Sequence, residues 1–282
     1  MRAGPHAGMC MAGWHLRRQI GQGTQSMVFL AEPVAGGPAV ALKLVSLDSA
    51  DERARQAFLA GADTARRLVH PCIVAVLGAG IEGALGWLAM EAVPGISLDR
   101  YTQPARLLPE PLVLRVAQAV AGALEHAHRQ GVVHRDVKPA NILVHWPSDT
   151  IKLADFGLAR AADADQTATG VVPGSPGFMA PEQLAGSVPT PASDFYALGV
   201  TLFQLLAGRL PHEAETLGEL LQRVSSQPAP DLRTLRPDLP APLALLVSRL
   251  LTIDPACRPG GGVALRQALH HAQCADSGAK SR

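Results

Sequence analysis

The sequence predicts an α+β protein in two parts, a small mostly-β N-terminal lobe with one helix and a larger mostly-α C-terminal lobe. Short strand-like runs punctuated by Gly and Pro fill the first third of the chain. Helical periodicity dominates from residue 111 onward, and Pro94-Gly95 marks the change between the two patterns. With 282 residues, 48% of them hydrophobic, the chain can bury a sizeable core in each part.

Residues 1–13, rich in Gly, Ala and Met without periodicity, read as a flexible tail. From Trp14 the runs 15–21, 27–33 and 38–45 read as strands, and about 50–69 as a helix that Pro71 ends. Two more strands are expected near 73–78 and 86–92, then a hinge over 91–96. Residues 111–130 place Leu112, Val116, Val120, Leu124 and Ala127 on one helical face, with Gly131 where a C-cap belongs. Further helices are expected over 192–208, 216–227 and 241–253. The expected organisation is one domain over 14–270, its lobes about 14–93 and 94–270, with a second flexible tail over 271–282.

Composition excludes several classes of function. A formal charge of +1 is too balanced for a nucleic-acid binder. Cys10, Cys72, Cys257 and Cys274 lie far apart with no CxxC pair, which fits free thiols in a reducing cytoplasm and neither a disulfide framework nor a zinc site. No run reaches the roughly eighteen apolar residues of a membrane span; the best candidate, Pro111–Ala123, carries Arg115 and Gln118. The N-terminus lacks the pattern of a signal peptide. The expectation is a soluble cytoplasmic protein.

Of 25 basic residues only Lys43, Lys138, Lys152 and Lys280 are lysine. A lysine kept inside a motif is therefore informative, because its compact charge is not replaced by Arg. Lys43 lies in the hydrophobic strand-like run Val40-Ala41-Leu42-Lys43, where an ammonium group needs an anionic partner or a route to solvent. Before it, Gly21-Gln22-Gly23-Thr24-Gln25-Ser26-Met27-Val28 joins two strands. Such a turn brings backbone N–H groups close to phosphates, although an ordinary Gly-rich hairpin has the same pattern.

The most telling stretch is His134-Arg135-Asp136-Val137-Lys138-Pro139-Ala140-Asn141, which gathers a carboxylate, an ammonium and an amide in one loop. Phosphoryl transfer needs positioning and charge neutralisation more than covalent chemistry. Asp136 can orient an acceptor hydroxyl and take its proton, Lys138 can neutralise the moving phosphoryl group, and Asn141 offers an oxygen to Mg²⁺. Nineteen residues after Asp136, Asp155-Phe156-Gly157 supplies a second metal ligand in Asp155.

These motifs resemble those of the protein kinase superfamily, and within it the eukaryotic-like serine/threonine kinases of bacteria, over about Trp14 to His270. Gly174-Ser175-Pro176-Gly177-Phe178-Met179-Ala180-Pro181-Glu182 resembles the family's docking segment. Asp194-Phe195-Tyr196-Ala197-Leu198-Gly199 resembles the start of its central helix, and Arg258 stands where the partner of Glu182 belongs. The resemblance implies a bilobal protein-kinase-like fold and ATP with Mg²⁺, or Mn²⁺ in its place. It implies Asp136, Lys138 and Lys43 as catalytic residues and Asn141 and Asp155 as metal ligands. Nucleotide contacts would come from Ile20, Gly21, Gln22, Gly23, Thr24, Ser26, Val28, Ala41, Lys43, Met90 as gatekeeper, Glu91, Val93 and Leu143. His134 and Phe156 would stack in the regulatory spine. Lys138 and Ser175 imply serine/threonine specificity. Arg135 implies activation-loop control, with Thr167 and Thr169 as autophosphorylation candidates and two exposed loop threonines as the plainer reading. Protein substrates, a cognate phosphatase and a homodimer through the N-lobe are the implied partners.

One departure stands out. The family expects a glutamate on the helix after Lys43, and the register set by His70-Pro71 puts Gly61 there. Asp63 lies about 200° round the helix axis and Glu52 about 13 Å along it. Asp155 with the nucleotide could hold Lys43, a shifted carboxylate such as Asp63 could, or the chain could be a nucleotide-binding pseudokinase scaffold. A small-molecule phosphotransferase related by fold is disfavoured by the long segment ending at Glu182. The expected function is transfer of the γ-phosphoryl group of ATP to protein serine and threonine hydroxyls.

Overall fold

The computed structural model describes residues 4–23, 26–47, 51–156 and 175–279. They divide into two compact units, one running to Pro94 and the other starting at Gly95. The α+β class holds.

The first unit is a six-stranded antiparallel sheet with one helix. Its strands are β1 (Cys10–Met11), β2 (Trp14–Gln22), β3 (Ser26–Pro33), β4 (Val40–Ser46), β5 (Val76–Glu82) and β6 (Leu85–Glu91), in the order β1-β2-β3-β4-β6-β5. Alternation along β4 sets its two faces. Val40, Leu42 and Leu44 are buried in a core with Leu16, Phe29, Ala31 and Ala89, while Ala41 and Lys43 point to the other side. Register then adds neighbours on that second face: Val28 opposes Lys43, and Met90 opposes Ala41.

Helix α1 (Glu52–Arg66) starts at Asp51, whose carboxylate accepts hydrogen bonds from the amides of Arg53 and Ala54. It buries Phe58, Gly61, Ala62 and Ala65. Gly86 shows which sheet face it covers: a Cβ there would stand 2.8 Å from the Phe58 ring, and Gly86 is the register partner of Val45. Val45 shares a face with Lys43 and Ala41, so α1 lies over the Lys43 face.

Residues 10–13 correct an expectation. The supposed tail contains β1, paired with β2, and Met11 is only 6% exposed in the core of the first unit. The two-residue turn Ala12–Gly13 has φ of 51° and 81°, the combination whose twist matches that of the strands it joins. Too short for a strand pattern, this hairpin could not be seen by periodicity.

The second unit is mainly helical. Its helices are α2 (Glu110–Arg129), α3 (Pro181–Leu184), α4 (Pro191–Ala207), α5 (Leu217–Ser226), α6 (Leu232–Leu235), α7 (Ala241–Leu250) and α8 (Gly262–Ala279). α4 is buried on nearly every side, as a helix apolar all round must be. α2 and α7 pack against it, and α8 packs on α2 and α7. The C-terminal tail expected from 271 is continuous with α8, which runs on to Ala279. A small antiparallel sheet, β7 (Ile96–Ser97), β8 (Ile142–His145) and β9 (Thr150–Leu153), follows the order β7-β8-β9 and brackets the 134–141 loop in sequence. Among the described residues no helix is long and apolar enough to cross a membrane.

Candidate active site

The loop between α2 and β8 is fixed from below by one buried carboxylate. Asp194, near the start of α4 and 1% exposed, accepts hydrogen bonds from the amides of His134 and Arg135, both at 2.8 Å. His128 on α2 adds its Nε2 at 2.7 Å from Asp194 Oδ2. A carboxylate taken out of water needs this many partners. These contacts hold Arg135 at φ 72°, a left-handed backbone uncommon for a side chain of its size.

His134 is fully buried and its two nitrogens have opposite roles. Nδ1 accepts from the Asp136 amide at 3.2 Å, so Nε2 carries the proton it gives to the Ala154 carbonyl at 2.8 Å. The ring meets Phe156 edge-on, 4.4 Å between centroids. This tie joins the loop to the segment carrying Asp155, itself at φ 68°. His134 and Phe156, expected to stack, are in contact but meet edge to face.

The polar groups converge on Asp136. Lys138 Nζ lies 2.7 Å from Asp136 Oδ2 and donates to Ser175 Oγ at 3.0 Å. Asn141 Nδ2 donates to the Asp136 carbonyl at 2.7 Å and to Oδ2 at 2.9 Å. The Asn141 NH₂ is thus committed to Asp136, which leaves its oxygen as the group to offer a cation. Asp155 follows Ala154, whose amide donates to the Asn141 carbonyl at 2.8 Å, so the chain brings a second hard oxygen donor next to this residue, of the kind Mg²⁺ takes when phosphate oxygens and water complete its shell. The residues present fit that ion.

Behind the site, Arg258 clamps Glu182 through two parallel bonds, Nη1–Oε1 2.7 Å and Nη2–Oε2 2.9 Å, and Ser193 Oγ also donates to Oε1. Burial pushes the Glu182 carboxyl up, but the guanidinium of Arg258, a backbone amide and the Ser193 hydroxyl outweigh it and hold the group below its ordinary value. The Arg258 guanidinium also stacks over Tyr196, 5.0 Å from the ring centroid, and burial pushes that phenol up.

In the first unit, Ile20, Gly21 and Gln22 end β2, Gly23 donates its amide to the Ser26 carbonyl at 2.8 Å, Ser26 opens β3, and Val28 is its third residue. Ala41, Lys43, Met90 and Glu91 lie on β4 and β6, and Val93 just beyond. Leu143 belongs to β8 in the second unit. Gly61 is buried on α1 over the Lys43 face. Asp63, the substitute considered for the missing glutamate, is 56% exposed and ion-paired with Arg67, and Glu52 is paired with Arg55 in the first turn. Neither takes the place Gly61 leaves. Thr24, Thr167 and Thr169 lie outside the described residues.

The support that Asp194 and His128 give the loop was not expected from the sequence. A carboxylate opening an otherwise apolar helix was the available signal, since it must be buried and must find donors.

The sequence profile described as "Protein kinase domain" matches residues 14–273. "Serine/threonine-protein kinase PknK" of Mycobacterium tuberculosis (strain ATCC 25618 / H37Rv) is 39% identical over 267 residues, 93% of this chain and 24% of that protein. "Serine/threonine-protein kinase PrkC" of Bacillus subtilis (strain 168) is 33% identical over 244 residues, 86% of this chain and 38% of that one. "Serine/threonine-protein kinase pkn3" of Myxococcus xanthus is 37% identical over 264 residues, covering 89% and 48%. The chain therefore spans between a quarter and a half of the length of these relatives.

Proposed function

The chain belongs to the protein kinase family, and from that premise we propose that it transfers the γ-phosphoryl group of ATP to serine and threonine hydroxyls of proteins. The observation that carries this reading is the cluster of Asp136, Lys138, Asn141 and Ser175, all within hydrogen-bond reach of one another through Asp136 and Lys138. Asp136 aims the acceptor hydroxyl and takes its proton as the oxygen attacks. Lys138 sits beside it as a compact positive charge for the phosphoryl oxygens, and its bond to Ser175 keeps the ammonium from wandering. Asn141 and Asp155 would hold Mg²⁺, or Mn²⁺ in its place, which neutralises phosphate charge.

Lys43, with Val28, Ala41 and Met90 on the same sheet face, serves the nucleotide in this reading, as do Ile20, Gly21, Gln22, Gly23, Thr24, Ser26, Glu91, Val93 and Leu143. By the family resemblance, Lys138 and Ser175 point to serine and threonine as acceptors. Autophosphorylation at Thr167 or Thr169, a cognate phosphatase and a homodimer are carried over from the family resemblance, and a cytoplasmic location fits the separate free thiols. The scaffold alternative rests on Gly61 alone, whereas Lys43, Asp136, Lys138, Asn141 and Asp155 are all in the sequence.

Purified chain incubated with radiolabelled ATP, Mg²⁺ and a generic basic protein tests the proposal. Label on serine or threonine, absent in Asp136→Asn, supports it. Nucleotide-induced thermal stabilisation without any transfer overturns it in favour of the scaffold.

A further inference from the structure

A thiol and an imidazole meet on the hairpin of β1 and β2. The register pairs Cys10 with His15, and one step along the ladder the Leu16 amide donates to the Met9 carbonyl at 2.9 Å. Bonded and non-bonded pairs alternate between antiparallel strands, so Cys10 and His15 occupy the narrow pair, where opposed side chains approach most closely. Cys10 Sγ lies 2.9 Å from His15 Nδ1, and Cys10 is exposed to solvent. On the far side of His15 its register partner on β3 is Glu32, whose carboxylate accepts from Arg17 Nε at 2.9 Å and Nη2 at 2.6 Å. Nucleophile, base and a fixed carboxylate thus stand in one row across three strands, on a hairpin pinned to the core by Met11.

We propose that Cys10 is a thiol–disulfide exchange site, activated by His15, whose co-reactants are low-molecular-weight disulfides of the glutathione type. The nitrogen at Nδ1 takes the Sγ proton, and the thiolate attacks one sulfur of the small disulfide. The small disulfide's S–S bond breaks as the Cys10 mixed disulfide forms. The departing sulfur leaves as a thiolate and takes the proton back from His15, so one protein thiol is oxidised, one small thiol is released, and the disulfide itself is the only oxidant. The phosphoryl-transfer residues play no part in it. Cys257 is the internal control: its thiol faces the Asp254 carboxylate at 3.7 Å, where Cys10 faces an imidazole.

The full chain in native buffer near neutral pH is treated with oxidised glutathione, quenched in acid, and mapped by peptide mass spectrometry. Cys10 should gain the adduct about tenfold faster than Cys257, and the two rates should converge in denaturant. In His15→Leu, checked for an unchanged melting curve, the Cys10 rate should fall about tenfold while that of Cys257 holds. Equal native rates at the two cysteines, a faster Cys257, or a Cys10 rate indifferent to His15→Leu each overturns the proposal. The comparison within the unmodified chain decides the matter even if the variant misfolds.

Discussion

Arg258 is completely buried, and its guanidinium meets the Glu182 carboxylate edge to edge while its remaining donors go to the carbonyls of Thr252, Ala192 and Ile253. Removing one member of such a pair strands the other charge away from water. Arg258→Met should therefore cost about 3–5 kcal/mol of unfolding free energy, measured as a shifted urea midpoint. Because the Glu182 carboxyl is held below its ordinary value, its contribution is present above the unfolded-state value of 4.5 and is lost as pH falls through the lower folded value. Glu182→Gln should flatten the acid limb of the stability curve below that pH, and an unchanged limb would show that other groups drive acid unfolding.

Asp136→Asn should lower turnover by about 10²–10⁴-fold while leaving nucleotide-dependent thermal stabilisation intact. Radiometric turnover alongside a melting curve with and without Mg-ATP separates the two effects. Lys138→Ala should behave similarly, since it removes the charge beside Asp136 and the tie to Ser175.

Gly61→Glu should raise turnover several-fold. Gly61 is buried on α1, and α1 covers the sheet face that Lys43 shares, so a carboxylate there stands on the same side of the sheet as that ammonium. Replacing a mid-helix glycine also firms α1 by up to about 1 kcal/mol. Steady-state kinetics decide: a gain in stability without a gain in rate would mean that Lys43 is already well placed.

His212, buried in the link between α4 and α5, is held below the ordinary histidine value, chiefly by burial and then by the nearby Arg223 charge. Protonation is thus easier in the unfolded chain, and stability present above about pH 6.5 drains away as acid protonates the ring. His212→Phe should make the unfolding midpoint less sensitive to pH just below that value, read from urea titrations across the range. A parallel shift at all pH values would point to packing instead of charge.

Much of the second unit was legible because its chemistry restricts residue type: a carboxylate, an ammonium and an amide within six positions admit few explanations. β2, β3, β4 and the long helix α2 were legible for a different reason, since alternation and 3.6-residue periodicity survive over seven or more positions. What escaped was short or non-local. β1 has two residues, α3 and α6 one turn each, too few for any period to show. Asp194 was read only as the opening of a helix, because its donors stand some sixty positions earlier in the chain. No helix was expected after residue 253, so all of α8 escaped, its last part behind a Gly and Ser composition that resembles a tail.

Homology to the family begins at Trp14, yet Met11 fills space beneath the sheet alongside Leu16 and Phe29. The minimal folding piece is therefore larger than the shared domain. A protein trimmed to the homology boundary would open a hole the size of one long side chain and unpair the first residues of β2, lengthening an edge open to strand-to-strand association between molecules. Trimming back only as far as His6 would keep both the plug and its edge guard.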